Sequence, residues 1–253
     1  MAAKAYLSLN ARPRAIVQVM DQMAADVRRA RRQWSGLFLL LPVLGIVGLL
    51  FIMIDQATPY SGGGFTWMGF LFWVGGVGLL IWLFTRRVSL PKEQLDVARE
   101  VLFTLRDDVS RRGRVTGWLD LTGPRQHSKL ARTGRTRSGR AKYYYRDPWF
   151  QVKIKLADGN LLRLTLIERI KVKKGYVAAR RHQLKARLVV NPGLYEIGPG
   201  RRLPGLEVQD HILSLQVQQS RPFSAQEILG LLKGMYGRLQ MRPGHELPAD
   251  PSA

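Results

Sequence analysis

Side chains able to do covalent or acid/base chemistry are few in this sequence and poorly grouped. The four histidines, His127, His182, His211 and His245, are scattered, and there is no cysteine among the 253 residues. Thiolate catalysis, disulfides and every cysteine-ligated zinc or iron–sulfur site are therefore excluded. No HExxH, GxSxG, GxGxxG or Walker A spacing occurs, so the common metalloprotease, hydrolase and nucleotide-binding arrangements are missing. Asp107 and Asp108 form the only adjacent carboxylate pair. They stand among basic residues in an expected helix, where a solvated charge cluster is a better account than an acid/base or metal site. The glycine run Ser61–Gly64 falls in a turn between two apolar blocks, away from any nucleotide. The expectation is a non-enzyme with no catalytic residue, no cofactor and no metal.

Positive charge is the remaining chemical signal. Lys and Arg number 40 against 18 Asp and Glu, a formal net charge of +22, and 29 of the bases are Arg. From residue 85 onward there are 33 bases and 15 acids. Two clusters stand out as candidates for an anionic partner. The first is Arg125, Lys129, Arg132, Arg135, Arg137, Arg140 and Lys142, in a segment (124–142) with no acid. The second is Lys171, Lys173, Lys174, Arg180, Arg181, Lys185 and Arg187, around a connection near Gly175. The first segment is poor in apolar residues and rich in Gly, Ser and Thr, so it reads as a disordered loop in isolation.

These clusters need elements to hold them. Forty-six per cent apolar residues can build a core, but much of that content lies in two uncharged blocks. Gly36–Ile54 has 19 residues and Phe65–Phe84 has 20. At about 1.5 Å per residue they reach roughly 28 and 30 Å, which suits a bilayer core of about 30 Å. The expectation is a two-span transmembrane helical hairpin over 36–84, closed by the ten-residue connection Asp55–Gly64. Arg28, Arg29, Arg31 and Arg32 precede the first block, and Arg86, Arg87, Lys92 and Arg99 follow the second, with no base between them. That asymmetry puts both termini in the cytoplasm of a bacterial inner membrane. Gly45, Gly48, Gly69, Gly75, Gly76 and Gly78 permit close helix contact.

Around the blocks, the spacing of Ile16, Val19, Met20, Met23 and Val27 predicts a cytoplasmic amphipathic helix within residues 1–35. Leu95, Ala98, Leu102, Leu105 and Val109 predict another within 85–113. From Trp149 the period changes to two. Phe150, Val152, Ile154 and Leu156 oppose Gln151, Lys153 and Lys155, the turn Asp158-Gly159 follows, and Leu162, Leu164, Leu166, Ile170 and Val172 continue the buried face. Glu168 interrupts that face and suggests a bulge, edge or strand end. Shorter strands are expected at 185–190, 194–197, 212–218 and 115–121. Ser224 and Glu227 then mark a capping box for a closing helix with Ile228, Leu231, Leu232, Met235 and Tyr236 inward. Gly230, Gly234 and Gly237 line much of one side of that helix and predict close approach of another backbone. Residues 114–242 thus read as a basic α+β domain, a small antiparallel barrel or sandwich capped by a C-terminal helix, and 243–253 as a disordered tail. The order of elements is similar to that of bacterial membrane proteins that join a two-span hairpin to a pleckstrin-homology-like domain.

Together these features predict an inner-membrane accessory or scaffold protein. Its basic domain would dock on anionic phospholipid or on the subunits of a membrane complex. The alternative is membrane-tethered nucleic-acid binding through 124–142 and the adjacent Tyr143, Tyr144 and Tyr145.

Overall fold

A computed structural model of the chain describes residues 5–57, 64–85, 91–110, 113–199 and 203–243. Two compact units divide it, one of residues 4–22 and 90–253 and one made mainly of 23–89.

The larger unit is built on antiparallel strands. They are β1 (Tyr6–Ala11), β2 (Val115–Asp120), β3 (Leu130–Arg135), β4 (Ala141–Lys155), β5 (Leu161–Lys173), β6 (Tyr176–Val189), β8 (Leu206–Gln209) and β9 (Ile212–Gln219). Their order across the sheet is β1-β2-β4-β5-β6-β9-β8, with β3 added beside the first part of β4. A separate pair joins β7 (Tyr195–Ile197) to β10 (Leu239–Met241). The domain is thus one large, mostly antiparallel sheet with a separate two-stranded pair, where a small barrel or sandwich was expected.

Alternation in β4 and β5 puts Phe150, Val152, Ile154, Leu162, Leu164 and Leu166 on one face, all buried, as strand geometry requires. On that face lie α3 (Lys92–Leu105) and α4 (Ala225–Tyr236). α3 buries the expected stripe Leu95, Ala98, Leu102 and Leu105, and α4 packs on α3 and β6. Ser224 caps α4 through a complete capping box with Glu227. Ser224→Ala is expected to lower stability by about 1 kcal/mol in urea denaturation; no change would show that the box adds nothing. Within α4 the expectation of close backbone approach is corrected. A Cβ on Gly230 would meet nothing within 4 Å, and one on Gly234 would meet the side chain of Leu203 at 2.9 Å.

Two further expectations change. The N-terminal segment is not wholly helical: β1 pairs with β2, Leu9 is buried, and helix α1 (Pro13–Ala57) begins only after it. The basic segment 124–142 is not a disordered loop. It holds a 3₁₀ turn at His127–Lys129 and the strand β3, whose register on β4 sets Arg132 opposite Tyr144 and Thr133 opposite Tyr143. Its composition lacks a core of its own, but the backbone groups of β4 supply hydrogen-bond partners. The Thr136 N–H donates to the Arg140 carbonyl at 2.8 Å to close the hairpin.

The smaller unit holds most of α1 and the helix α2 (Gly64–Thr85). The two meet at Gly48 and Gly69, where a Cβ on Gly69 would lie 2.7 Å from the Gly48 carbonyl oxygen. The rings of Phe51 and Phe72 stack beside them with centroids 5.7 Å apart. A Cβ on Gly45, Gly75, Gly76 or Gly78 would meet nothing within 4 Å.

The transmembrane hairpin is corrected. Among the described residues no helix is long and apolar enough to cross a membrane. The two-span membrane partnership and the inner-membrane location with cytoplasmic termini go with it. The middle of the expected ten-residue connection and nearly all of the expected disordered tail lie outside the described residues.

Candidate polyanion-binding face

The sheet face opposite α3 and α4 carries the charge. In β5 the buried residues are even-numbered except Ile167, which is buried on the other side opposite the buried Gln183 of β6, and Arg163, Thr165, Arg169, Lys171 and Lys173 point to that other side. Register then fixes their neighbours, because directly opposed residues share a face. Arg163 lies between Lys153 of β4 and Arg187 of β6, and Arg169 lies between Arg146 and Arg181. Thr165 stands opposite Lys185, Lys171 opposite Tyr144, and Lys173 opposite Lys142. Lys155 and, on β3, Arg132 extend the same face. The two cation triplets are six residues apart along β5, roughly 20 Å.

Nothing within these three strands neutralises this side. Among the described residues, none of these cations lies within ion-pair distance of a carboxylate, since the ion pairs present involve Arg99, Arg106, Lys129, Arg180, Arg221 and Arg242. Along the Arg163 row the first acid met is Glu207 on β8, opposite Ser214 and so two strands beyond Arg187. Lys171 places its ammonium 5.7 Å from the centre of the Tyr144 ring. At the tip of the β5–β6 hairpin, Lys174 and Gly175 both take positive φ, at 53° and 80°, as a two-residue type I′ turn demands. That turn sets Tyr176 opposite Lys173, with 79% of its surface exposed.

The sequence candidates separate into three groups. Arg132, Lys142, Lys171, Lys173, Arg181, Lys185 and Arg187 share the cationic face. Arg125, Arg137, Arg140 and Lys174 are exposed in loops and turns, and Arg135 is exposed at the end of β3. Lys129 and Arg180 serve the interior instead. The Lys129 ammonium sits 2.9 Å from Asp120 Oδ2 and 2.8 Å from Asp147 Oδ1, and it donates to Thr122 Oγ1 and the Gly123 carbonyl, both at 3.0 Å. Arg180 Nε lies 3.0 Å from Glu168 Oε1. Five bases of the face were not among the candidates: Arg146, Lys153, Lys155, Arg163 and Arg169. For all but Arg146 the signal was the alternation in 151–155 and 161–173, where every second residue except Glu168 is apolar and cations recur between.

Asp147, Glu168 and His182 form one cross-strand row on the covered face, and each is buried. Glu168 is thus an interior residue in mid-strand, where Arg180 pairs with it and the Gln94 side chain of α3 donates to it at 3.4 Å. Burial pushes the Asp147 and Glu168 carboxyls above the usual carboxylate range, against the opposing pull of Lys129 and Arg180. Burial, together with Arg180, pushes the His182 imidazole below its ordinary value. Asp120, only partly buried, is held below the carboxylate range by Thr122 and Lys129. This row joins the strands to α3 through Gln94; the opposite face carries the exposed bases. Comparison with protein families, with curated proteins and with solved structures finds no match for the chain.

Proposed function

We propose that this chain is a non-enzymatic docking protein whose β domain holds a polyanionic partner on the outer face of β4, β5 and β6. The supporting observation is the pair of directly opposed cation triplets, Lys153–Arg163–Arg187 and Arg146–Arg169–Arg181. Like charges directly opposite each other destabilise a sheet, so folding gains nothing from them. An external polyanion converts that repulsion into attraction. Generic basicity would scatter the bases over loops; here register concentrates them.

Heparin retention tests the proposal. The full chain is expected to elute at high salt, and Arg169→Gln/Arg181→Gln to elute markedly earlier, because screening and counterion release make each contacting base count. Arg137→Gln/Arg140→Gln, which removes the same charge from the β3–β4 turn, is expected to shift much less. Equal shifts for the two variants would reduce the face to bulk charge and overturn the proposal.

A further inference from the structure

We infer that the polyanion is a single-stranded nucleic acid, bound without sequence preference; this rests on the docking face proposed above and names its partner. Three observations favour it. The strip runs from Arg163 to Lys173, roughly 33 Å along β5, and its bases on β4, β5 and β6 are interrupted by no carboxylate. A protein surface of mixed sign complements such a strip poorly, whereas a phosphate backbone repeats one charge along its length. The triplets contain two and three arginines, and the planar guanidinium matches phosphate oxygens in pairs.

The second observation concerns anchors. Specific protein interfaces centre on desolvated apolar or aromatic groups, and peripheral membrane binding inserts aliphatic or aromatic side chains beside the bases. Among the described residues, this face of β4 to β6 exposes no large aliphatic side chain. Its large exposed hydrophobic residue is Tyr176.

The third is where the aromatics stand. Tyr176 is opposite Lys173, and Tyr144 is opposite Lys171 and beside Arg132. Both tyrosines therefore lie at one end of the strip with bases around them. Single-strand binding combines these two parts: cations that follow the backbone and aromatic rings on which bases stack regardless of sequence. A duplex keeps its bases stacked inside and leaves the tyrosines without a role.

The test uses the full chain and two 20-nucleotide labelled single strands, one of thymidine and one of mixed sequence, read by fluorescence anisotropy from 50 to 200 mM salt. Six phosphate contacts from the two triplets predict a log–log salt slope of about −4, a loss of roughly 300-fold in affinity over that range. Arg169→Gln/Arg181→Gln is expected to flatten the slope by about 1.4, and Arg169→Lys/Arg181→Lys to restore it. Tyr176→Ala, at an exposed turn position, is expected to weaken both strands about tenfold and to leave heparin retention unchanged. Absence of binding at 50 mM salt, or an unchanged affinity in Tyr176→Ala, overturns the single-strand inference. If heparin retention still depends on Arg169 and Arg181, the docking proposal survives that result. Tighter binding to a matched duplex, to phosphatidylserine vesicles or to polyglutamate than to either strand also overturns the inference and identifies the polyanion.

Discussion

Lys129→Ala is expected to cost about 3–5 kcal/mol in urea denaturation, the largest loss from any single substitution considered for this chain. The Lys129 side chain is only 9% exposed and its ammonium holds two carboxylates, of which Asp147 is completely buried. Removing it leaves Asp147 charged in the interior and Asp120 with one partner fewer. Burial already pushes the Asp147 carboxyl upward, and without the cation the folded state takes a proton more readily still. A carboxyl whose folded pKa is raised lowers stability in full above that pKa, and the loss fades as the pH falls toward the unfolded value. The loss should therefore be greatest at neutral pH and shrink on acidification. Adding Asp147→Asn to Lys129→Ala should recover part of it at neutral pH, because the stranded charge is gone. A loss under 1 kcal/mol, unchanged by pH, would mean that Lys129 is a surface base after all and free for a partner.

Arg163→Glu is expected to act in opposite directions on stability and on binding. Its two cross-strand neighbours are Lys153 and Arg187, so one change converts two like-charge pairs into two opposite-charge pairs. Each such pair is worth about 0.2–1 kcal/mol, giving a gain of roughly 1–2 kcal/mol in low salt. Heparin retention should fall in the same variant. Salt separates the causes further: the wild type should gain stability as salt screens the triplets, and the variant should lose some of its advantage. A variant that is less stable and equally well retained would show that the triplets are not in repulsive contact and not part of the docking face. Stability sacrificed at a binding surface is a common result of selection for function.

Much of the β-rich unit was legible because alternation survives without tertiary information. Phe150 to Leu156 and Leu162 to Val172 declare their faces in the sequence, and Ser224 with Glu227 declares the start of a helix. The docking face was only half legible. Each strand shows its own bases, but the meeting of Arg163 with Lys153 and Arg187 depends on register, set by a bulge between Asp147 and Phe150 that alternation alone does not locate. Lys129 was misassigned for the opposite reason. Its neighbours read as a flexible basic loop, and the carboxylate that buries it, Asp147, lies 18 residues on. Glu168 carried a true signal as a charge on an apolar face; its meaning as an interior ion pair needed Arg180 and Gln94 in place. The apolar blocks raised the expectation of membrane spans, whereas no described helix is long and apolar enough for one.

The pairing of β1 with β2 has a kinetic consequence. Ala11 and Val115 are partners in the sheet, yet more than a hundred residues separate them, including α1, α2 and α3. Closing a loop of that length costs about 4 kcal/mol of chain entropy, whereas β4, β5 and β6 join through short hairpins. High sequence separation delays a contact during folding. β2 therefore has a free edge until β1 arrives, and β1, carrying the core residue Leu9, is the strand expected to complete the sheet last. Amide exchange should find it the first to open, which makes the N-terminal strand the place where proteolysis or strand exchange would begin.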